Sequence, residues 1–190
     1  EAKMCGNGIR CVAKFVRERG YTDKDELTVE TLSGVKRIWM DSESVTVDMG
    51  KAEISADVML DLGFECTPVS VGNPHAVIFT DDVALILLRD IGPKIEHNKT
   101  FPGRVNVEFI SIVGENELRM RVWERGSGET QACGTGACAS AAAAVSKGFC
   151  RAGKPIKVHL DGGDLEITVK EDFTCLMRGP AEFVSEGEIE

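Results

Sequence analysis

The stretch VWERGSGETQACGTGACAS, Val122 to Ser140, carries an apolar strand through a glycine-rich turn to one cysteine, Cys133, at the head of an alanine-rich helix. The strand spans Glu117 to Glu124, where Leu118, Met120 and Val122 alternate with charged neighbours, the period of a half-buried strand. Cys133-Gly134-Thr135-Gly136 then opens a helical run from Ala137 to Ser146. A cysteine in that place faces unpaired backbone N–H groups and the positive end of the helix dipole, which favours its thiolate. The glycines let backbone donors come close to a ligand. The run has no polar stripe wide enough for a solvent face, so the helix is expected to be buried nearly all round, wrapped by antiparallel strands.

The arrangement occurs twice. Met4-Cys5-Gly6-Asn7-Gly8 opens another helix, Ile9 to Arg19, closed by Gly20 in the place of a C-cap. Two copies of Cys-Gly-polar-Gly, each at a helix start, imply two similar halves that bring two thiols face to face across a cleft. A strand precedes Cys133, whereas only Glu1-Ala2-Lys3-Met4 precede Cys5. The first half is therefore expected to lack upstream sequence, and a chain without it to be a poor catalyst.

Outward from these blocks the chain reads mainly as hairpins. Leu27 to Leu32, Val35 to Met40 and Ser44 to Met49 form a strand meander. Gly50 to Leu62 has no clear period and carries a crossover, followed by strands Cys66 to Val71 and His75 to Thr80 around Gly72-Asn73-Pro74. Asp81 or Asp82 can cap a helix over Val83 to Leu88, and Pro93 suits the first position of another reaching His97. Arg104 to Val113 is a strand, and Ile156 to Leu160 and Leu165 to Lys170 flank a hairpin turn at Asp161 to Asp164. Phe173 to Met177 and Ala181 to Val184 are the last strands. The fold class is α/β (α+β): two pseudo-symmetric halves, each a mostly antiparallel sheet around a central helix, with the site between them. Residues 1–48 belong to the first half, 49–178 to the second, and 179–190 return as a strand to the first.

At 190 residues, 43% hydrophobic and 28% charged, the chain can bury a real core. A net charge of -9 argues against nucleic acid and anionic membrane as partners. No run reaches the ~18 apolar residues of a membrane span, and no signal peptide is visible. Seven cysteines, an odd count, fit free thiols in a reducing cytoplasm better than a disulfide framework. Thiol chemistry or metal binding would explain them.

The spacing disfavours metal. At ~100° per residue, Cys11 lies about 240° round the helix from Cys5 and Cys138 about 140° from Cys133, so neither pair converges on one ion. Cys11, Cys138, Cys66, Cys150 and Cys175 read as small buried or incidental residues. Gly134 to Ala139 fits G-x-G-x-x-A, which keeps a nucleotide- or phosphate-binding module as an alternative. A dinucleotide site, however, wants the strand to turn directly into the helix within a parallel βαβ unit. Asn73-Pro74-His75 sets an imidazole just after a rigid turn, and taken singly it is a capped strand end. Asn106 is polar within an apolar strand, through edge exposure or as a ligand amide, and Glu124-Arg125 end the strand before the loop. Together with two helix-start thiols these side chains can form a pocket for a doubly zwitterionic small molecule.

The blocks MCGNGIRCVAKFV, GNPHAV, RVNVEF and WERGSGETQACGTGACA resemble the signature segments of diaminopimelate epimerases, in the family's order along all 190 residues. Proline racemases share the paired CGxG idea without the ERGSGET text, and a racemase of another amino acid is the alternative within the same chemistry. The resemblance implies a metal-free epimerase, independent of pyridoxal phosphate and of any other cofactor, that interconverts LL- and meso-diaminopimelate for lysine and peptidoglycan synthesis. Its substrate is a small molecule, its setting cytoplasmic, and a homodimer is left open. By the resemblance Cys5 and Cys133 are the acid/base pair, and Gly6, Asn7, Gly134 and Thr135 surround the reacting carboxylate. His75 and Glu124 stand beside the thiols and the amino group, and Asn73, Asn106 and Arg125 hold the distal end. The family's polar contacts from before the first cysteine have no counterpart here, and the stretch between Met49 and Val69 is shorter than the family's usual one.

Overall fold

A computed structural model of the protein describes residues 4–188. Its elements, in order, are α1 (Gly6–Glu18), β1 (Glu26–Thr31), β2 (Gly34–Met40), β3 (Val45–Lys51), β4 (Glu53–Ile54), β5 (Val58–Met59), β6 (Glu65–Ser70) and β7 (Pro74–Phe79). A 3-10 turn at Val83–Leu85 leads into α2 (Leu88–Glu96), β8 (Asn106–Gly114), β9 (Glu117–Glu124) and β10 (Gly128–Thr130). Then come α3 (Gly134–Ser146), β11 (Pro155–Leu160), β12 (Gly163–Val169) and β13 (Thr174–Gly179).

The fold is mixed α/β with a mostly antiparallel sheet, as the sequence implies. Its strands run β1-β2-β3-β13-β12-β11-β9-β8-β7-β6-β4, and among the described residues only the β7–β8 and β9–β11 pairs are parallel. Read outward from the β3–β13 junction, β3-β2-β1 mirrors β13-β12-β11. Each trio follows a 13-residue helix with a cysteine at its N-cap. The two helices also end alike. Gly20 and Gly148 have φ of 72° and 75°, and the Tyr21 N–H bonds to the Val16 carbonyl as the Phe149 N–H does to that of Ala144. This is the Schellman ending, in which glycine takes the left-handed residue without strain. Two equivalent units of helix and meander therefore meet at one strand pair.

α3 is the axis of the core. Every residue from Ala137 to Ala144 is buried, because side chains no larger than Cys or Ser let strands close on the helix from several sides. It touches β6, β7 and β8 as well as β12 and β13. α1 is amphipathic instead, burying Ile9, Arg10 and Ala13 against β2 and β3. β8 is covered on both faces: Ile110 packs into the cluster around α3, while Val107 and Phe109 join Leu88 and Ile95 of α2 in a second one.

Several expected elements differ. The first meander and β9 stand where they were predicted, but Val83 to Leu88 yields only the 3-10 turn, capped by Asp82 Oδ1 from the Ala84 N–H at 2.8 Å. Pro93 lies inside α2 rather than opening it, since burial of Leu88 and Ile95 starts the helix a turn earlier. Proline gives up a bond only to the carbonyl of Arg89, at the helix's first turn. The loop before Cys133 folds back as β10, pairing Gly128 with Glu124, helped by Gly126 and Gly128 at φ 80° and 85°. No strand forms at Ala181 to Val184. β3 already has β2 and β13 on its two sides, so the described part of 179–190 lies along α1 instead, through Arg10 to the Pro180 carbonyl and Arg19 to Glu186. Glu1 to Lys3, where the upstream comparison was made, and residues 189–190 lie outside the described residues. No helix among the described residues is long and apolar enough to cross a membrane.

Candidate active site

Cys5 and Cys133 occupy equivalent corners. Each is the N-cap of its helix, with φ and ψ of -134° and 113° for Cys5 and -130° and 109° for Cys133. The Gly8 N–H donates to Cys5 Sγ at 3.3 Å and the Gly136 N–H to Cys133 Sγ at 3.4 Å. The two helix starts abut: a Cβ on Gly6 would lie 3.5 Å from Gly134 Cα, and the converse distance is also 3.5 Å, with Met177 packed against both. A side chain at either glycine would press on Met177, whose Cε would lie 3.0 Å from a Cβ on Gly6 and whose Sδ 2.8 Å from one on Gly134.

The environments of the thiols differ. Cys5 is exposed, beside a groove of about 570 Å³ lined by Ile9, Val12, Val29 and Leu32, whereas Cys133 is 6% exposed. Burial, with the carboxyls of Glu108 and Glu124 nearby, pushes the Cys133 thiol up to about 12, against the lowering effect of bonds from Thr135 and Gly136. The expectation that a helix start favours the thiolate is thus overturned at Cys133, because the lost hydration, the largest cause, outweighs the bonds from Gly136 and Thr135. In this state Cys133 is a thiol.

Of the predicted polar residues, Thr135 and Glu124 stand near Cys133, with Asn73 and His75 linked to it through Thr135. His75, fully buried, places Nδ1 2.7 Å from Glu108 Oε1 and Nε2 3.0 Å from Asn73 Oδ1. Asn73 Nδ2 donates to Thr135 Oγ1 at 3.2 Å, which lies 3.5 Å from Cys133 Sγ. Glu124 accepts from Thr130 Oγ1 at 2.5 Å. Asn106 is neither at an edge nor free: it donates to the Pro74 carbonyl at 2.9 Å and accepts the Arg125 N–H at 2.9 Å, tying the Asn-Pro-His turn to the Glu-Arg turn. Arg125 is exposed and reaches the Gly103 carbonyl. On the Cys5 side, Asn7 Oδ1 accepts from Arg10 Nη2 at 3.2 Å.

Sequence reading missed three residues here. Glu108, in the strand buried on both faces, is fully buried with Oε2 unpaired. Its signal was an acid between Val107 and Phe109 in an unbroken apolar run. Arg10, 7% exposed, bonds the Gly6 carbonyl within α1 and the Pro180 carbonyl just past β13. Its helical spacing beside Ile9 and Ala13 put it on the inward face. Glu96, also buried, accepts from Trp123 Nε1 at 2.7 Å and the Gly126 N–H at 3.0 Å, fixing the turn that carries Arg125.

A sequence model described as diaminopimelate epimerase matches residues 1–55 and 67–184. The chain belongs to the diaminopimelate epimerase family. The unmatched residues 56–66 fall between Met49 and Val69. The diaminopimelate epimerase of Bacteroides thetaiotaomicron is 50% identical over 200 residues, covering 100% of this chain and 73% of that protein. That of Bacillus cytotoxicus is 46% identical over 209 residues, covering 98% and 73%. The family is one of isomerases, and the chain is an enzyme of that class. Among solved structures, a phenazine biosynthesis protein of the PhzF family from Bacillus anthracis matches at TM-score 0.78 and 17% identity, covering 100% of this chain and 77% of that one. A probable proline racemase from Agrobacterium radiobacter matches at TM-score 0.74 and 18% identity, covering 99% and 68%. These likenesses speak for the fold alone.

Proposed function

We propose that this chain interconverts LL- and meso-diaminopimelate by moving one α-proton between two thiols, Cys5 and Cys133, without a cofactor, in the cytoplasmic synthesis of lysine and peptidoglycan precursors. The observation that carries the reading is the meeting of two cysteine-capped helix starts at Gly6 and Gly134. Inversion needs a base on one face of the carbon and an acid on the other, and a pseudo-twofold pair supplies both without turning the substrate. We assign residues 1–48 and 49–178 to the two halves, with the tail from 179 returning along α1.

With Cys133 held as thiol, Cys5 is the base for the first turnover and Cys133 the acid, the roles reversing for the opposite epimer. The α-proton is far less acidic than a thiol of pKa about 8.5, so the developing carbanion needs stabilisation. The N–H groups of Gly6, Asn7, Gly134 and Thr135 precede the first intrahelical acceptors and can bind the substrate carboxylate. Each such donor contributes roughly 2.7–4 kcal/mol and the two helix ends about 1–4 kcal/mol together. At about 1.36 kcal/mol per tenfold, several donors give on the order of a million-fold. Glu124 orients the amino group and Arg125 the distal end, while His75, Asn73 and Asn106 keep their present bonds and act through Thr135 and Arg125.

Chiral chromatography of LL-diaminopimelate incubated with the protein tests the reading. We expect meso-diaminopimelate to appear and Cys5→Ala and Cys133→Ala each to lose it by several orders of magnitude. Inversion of proline with no effect on diaminopimelate would overturn the substrate assignment.

A further inference from the structure

Glu108 sits inside the protein with Oε1 on His75 Nδ1 at 2.7 Å and Oε2 without any partner. It also lies across the first turn of α3, where a Cβ on Gly136 would come within 2.6 Å of Oε1. The titratable groups facing it come from three elements: His75 on β7, Glu124 on β9 and Cys133 at the head of α3.

The hydrogen bonds from His75 to Thr135 have a fixed direction. Asn73 donates its N–H to Thr135 Oγ1, so its oxygen faces the ring and His75 Nε2 carries a hydrogen. Thr135 Oγ1 accepts from Asn73 and keeps its own hydrogen free to give, and once Cys133 Sγ, 3.5 Å away, is a thiolate that hydrogen is one it can receive. Nδ1 then either accepts from a protonated Glu108 or, on an imidazolium, donates to an ionised one. Either way a single proton lies between Nδ1 and Oε1, and the pair is neutral. An ionised Glu108 beside an imidazole protonated only on Nε2 would face two acceptors at 2.7 Å, with a fully buried charge lacking donors. Desolvation raises the Glu108 carboxyl in the same sense.

We propose that Glu108 is a positioning residue for Cys133: it shares one proton with His75, and this neutral pair fixes the chain His75–Asn73–Thr135 so that a hydroxyl hydrogen is free for the Sγ thiolate. The inference rests on the reading of Cys133 as one of the two exchanging thiols. No proton travels along the chain. Its effect comes when Cys133 has given its proton to the substrate and the new thiolate, buried beside Glu124, receives the Thr135 hydrogen bond. An ionised, unpaired Glu108 would oppose that thiolate, and the shared proton removes the opposition.

Two replacements of similar volume separate this role from packing. Glu108→Gln keeps an N–H for Nδ1, and Glu108→Met keeps the bulk but offers none. The measurements are the rate of iodoacetamide alkylation of Cys133, localised by tandem mass spectrometry with Cys5 as internal control, and the 15N shifts of the His75 ring. We expect Glu108→Met to slow alkylation at Cys133 roughly tenfold and Glu108→Gln to stay within about threefold of the unaltered protein, Cys5 being unaffected in both. The unaltered protein and Glu108→Gln should show hydrogen on Nε2, and Glu108→Met a mixture of tautomers. Equal rates for Met and the unaltered protein, or a bare Nε2 in the latter, would overturn the proposal. If Glu108→Met does not fold, the Nε2 signal of the unaltered protein and of Glu108→Gln still decides it. Full epimerisation by Cys133→Ala would sink the two-thiol mechanism while leaving these two readouts standing.

Discussion

Gly8 and Gly136 hold the same place in the two Cys-Gly-polar-Gly segments, yet alanine should affect them in opposite directions. Both are helical and neither has positive φ, so each substitution gains about 0.5–1 kcal/mol from the smaller entropy of the unfolded chain. At Gly8 the new Cβ meets only Cys5 Cβ and Sγ, at an ordinary 3.5 Å. At Gly136 it meets Glu108 Oε1 at 2.6 Å and the Glu108 Cγ and Cδ at 3.2 Å, on a side chain held by His75 and enclosed on every side. Overpacking of that kind costs about 1–3 kcal/mol. We therefore expect Gly8→Ala to stabilise slightly and Gly136→Ala to fall below it by about 1–3 kcal/mol, read from urea midpoints at unchanged m-value. Adding Glu108→Ala should make the Gly136 substitution tolerable, a coupling that a double-mutant cycle measures. A Gly136→Ala protein as stable as Gly8→Ala, with no coupling to position 108, would refute the placement of Glu108 against α3.

Stability should decline in alkali, because the buried thiols of Cys66 and Cys133 are raised from 9.0 to about 11 and about 12. The folded protein binds these protons more tightly, so this stability is whole below pH 9 and is lost as the pH rises to 11 and 12, at about 1.4 kcal/mol per pH unit per group; Cys66→Ala should flatten the decline in denaturant titrations across that range. Glu96→Ala strands the Trp123 Nε1 donor and frees the Gly126 turn, and should cost about 3 kcal/mol while raising KM more than it lowers kcat. Mild oxidants should inactivate the enzyme reversibly through a Cys5–Cys133 disulfide, with protection by substrate; peptide maps pairing only other cysteines would exclude that route.

The two cysteine blocks were legible because each motif is local: a cap, glycines and a helix of set length lie within a score of residues. β9 was read to its end residues, since alternation over eight positions leaves no second register. The helix α3 was read as buried because nothing in it could face water. What escaped depended on partners distant in sequence. Glu108 is explained only by His75, 33 residues away, and Arg10 by Pro180, 170 residues away. Pro93 and β10 show tertiary burial overriding local signals, while the resting thiol at Cys133 follows from desolvation that no motif reports.

The central claim is that two thiols serve opposite faces of one carbon. In deuterated water, early in the reaction of LL-diaminopimelate, the deuterium position can be read by NMR in both the recovered substrate and the product. The two-thiol mechanism puts deuterium at the α-carbon of the inverted product, from the Cys133 face, and leaves recovered substrate almost free of it. Substrate that gains deuterium as fast as product does, or a Cys133→Ala protein that inverts at the full rate, would contradict it.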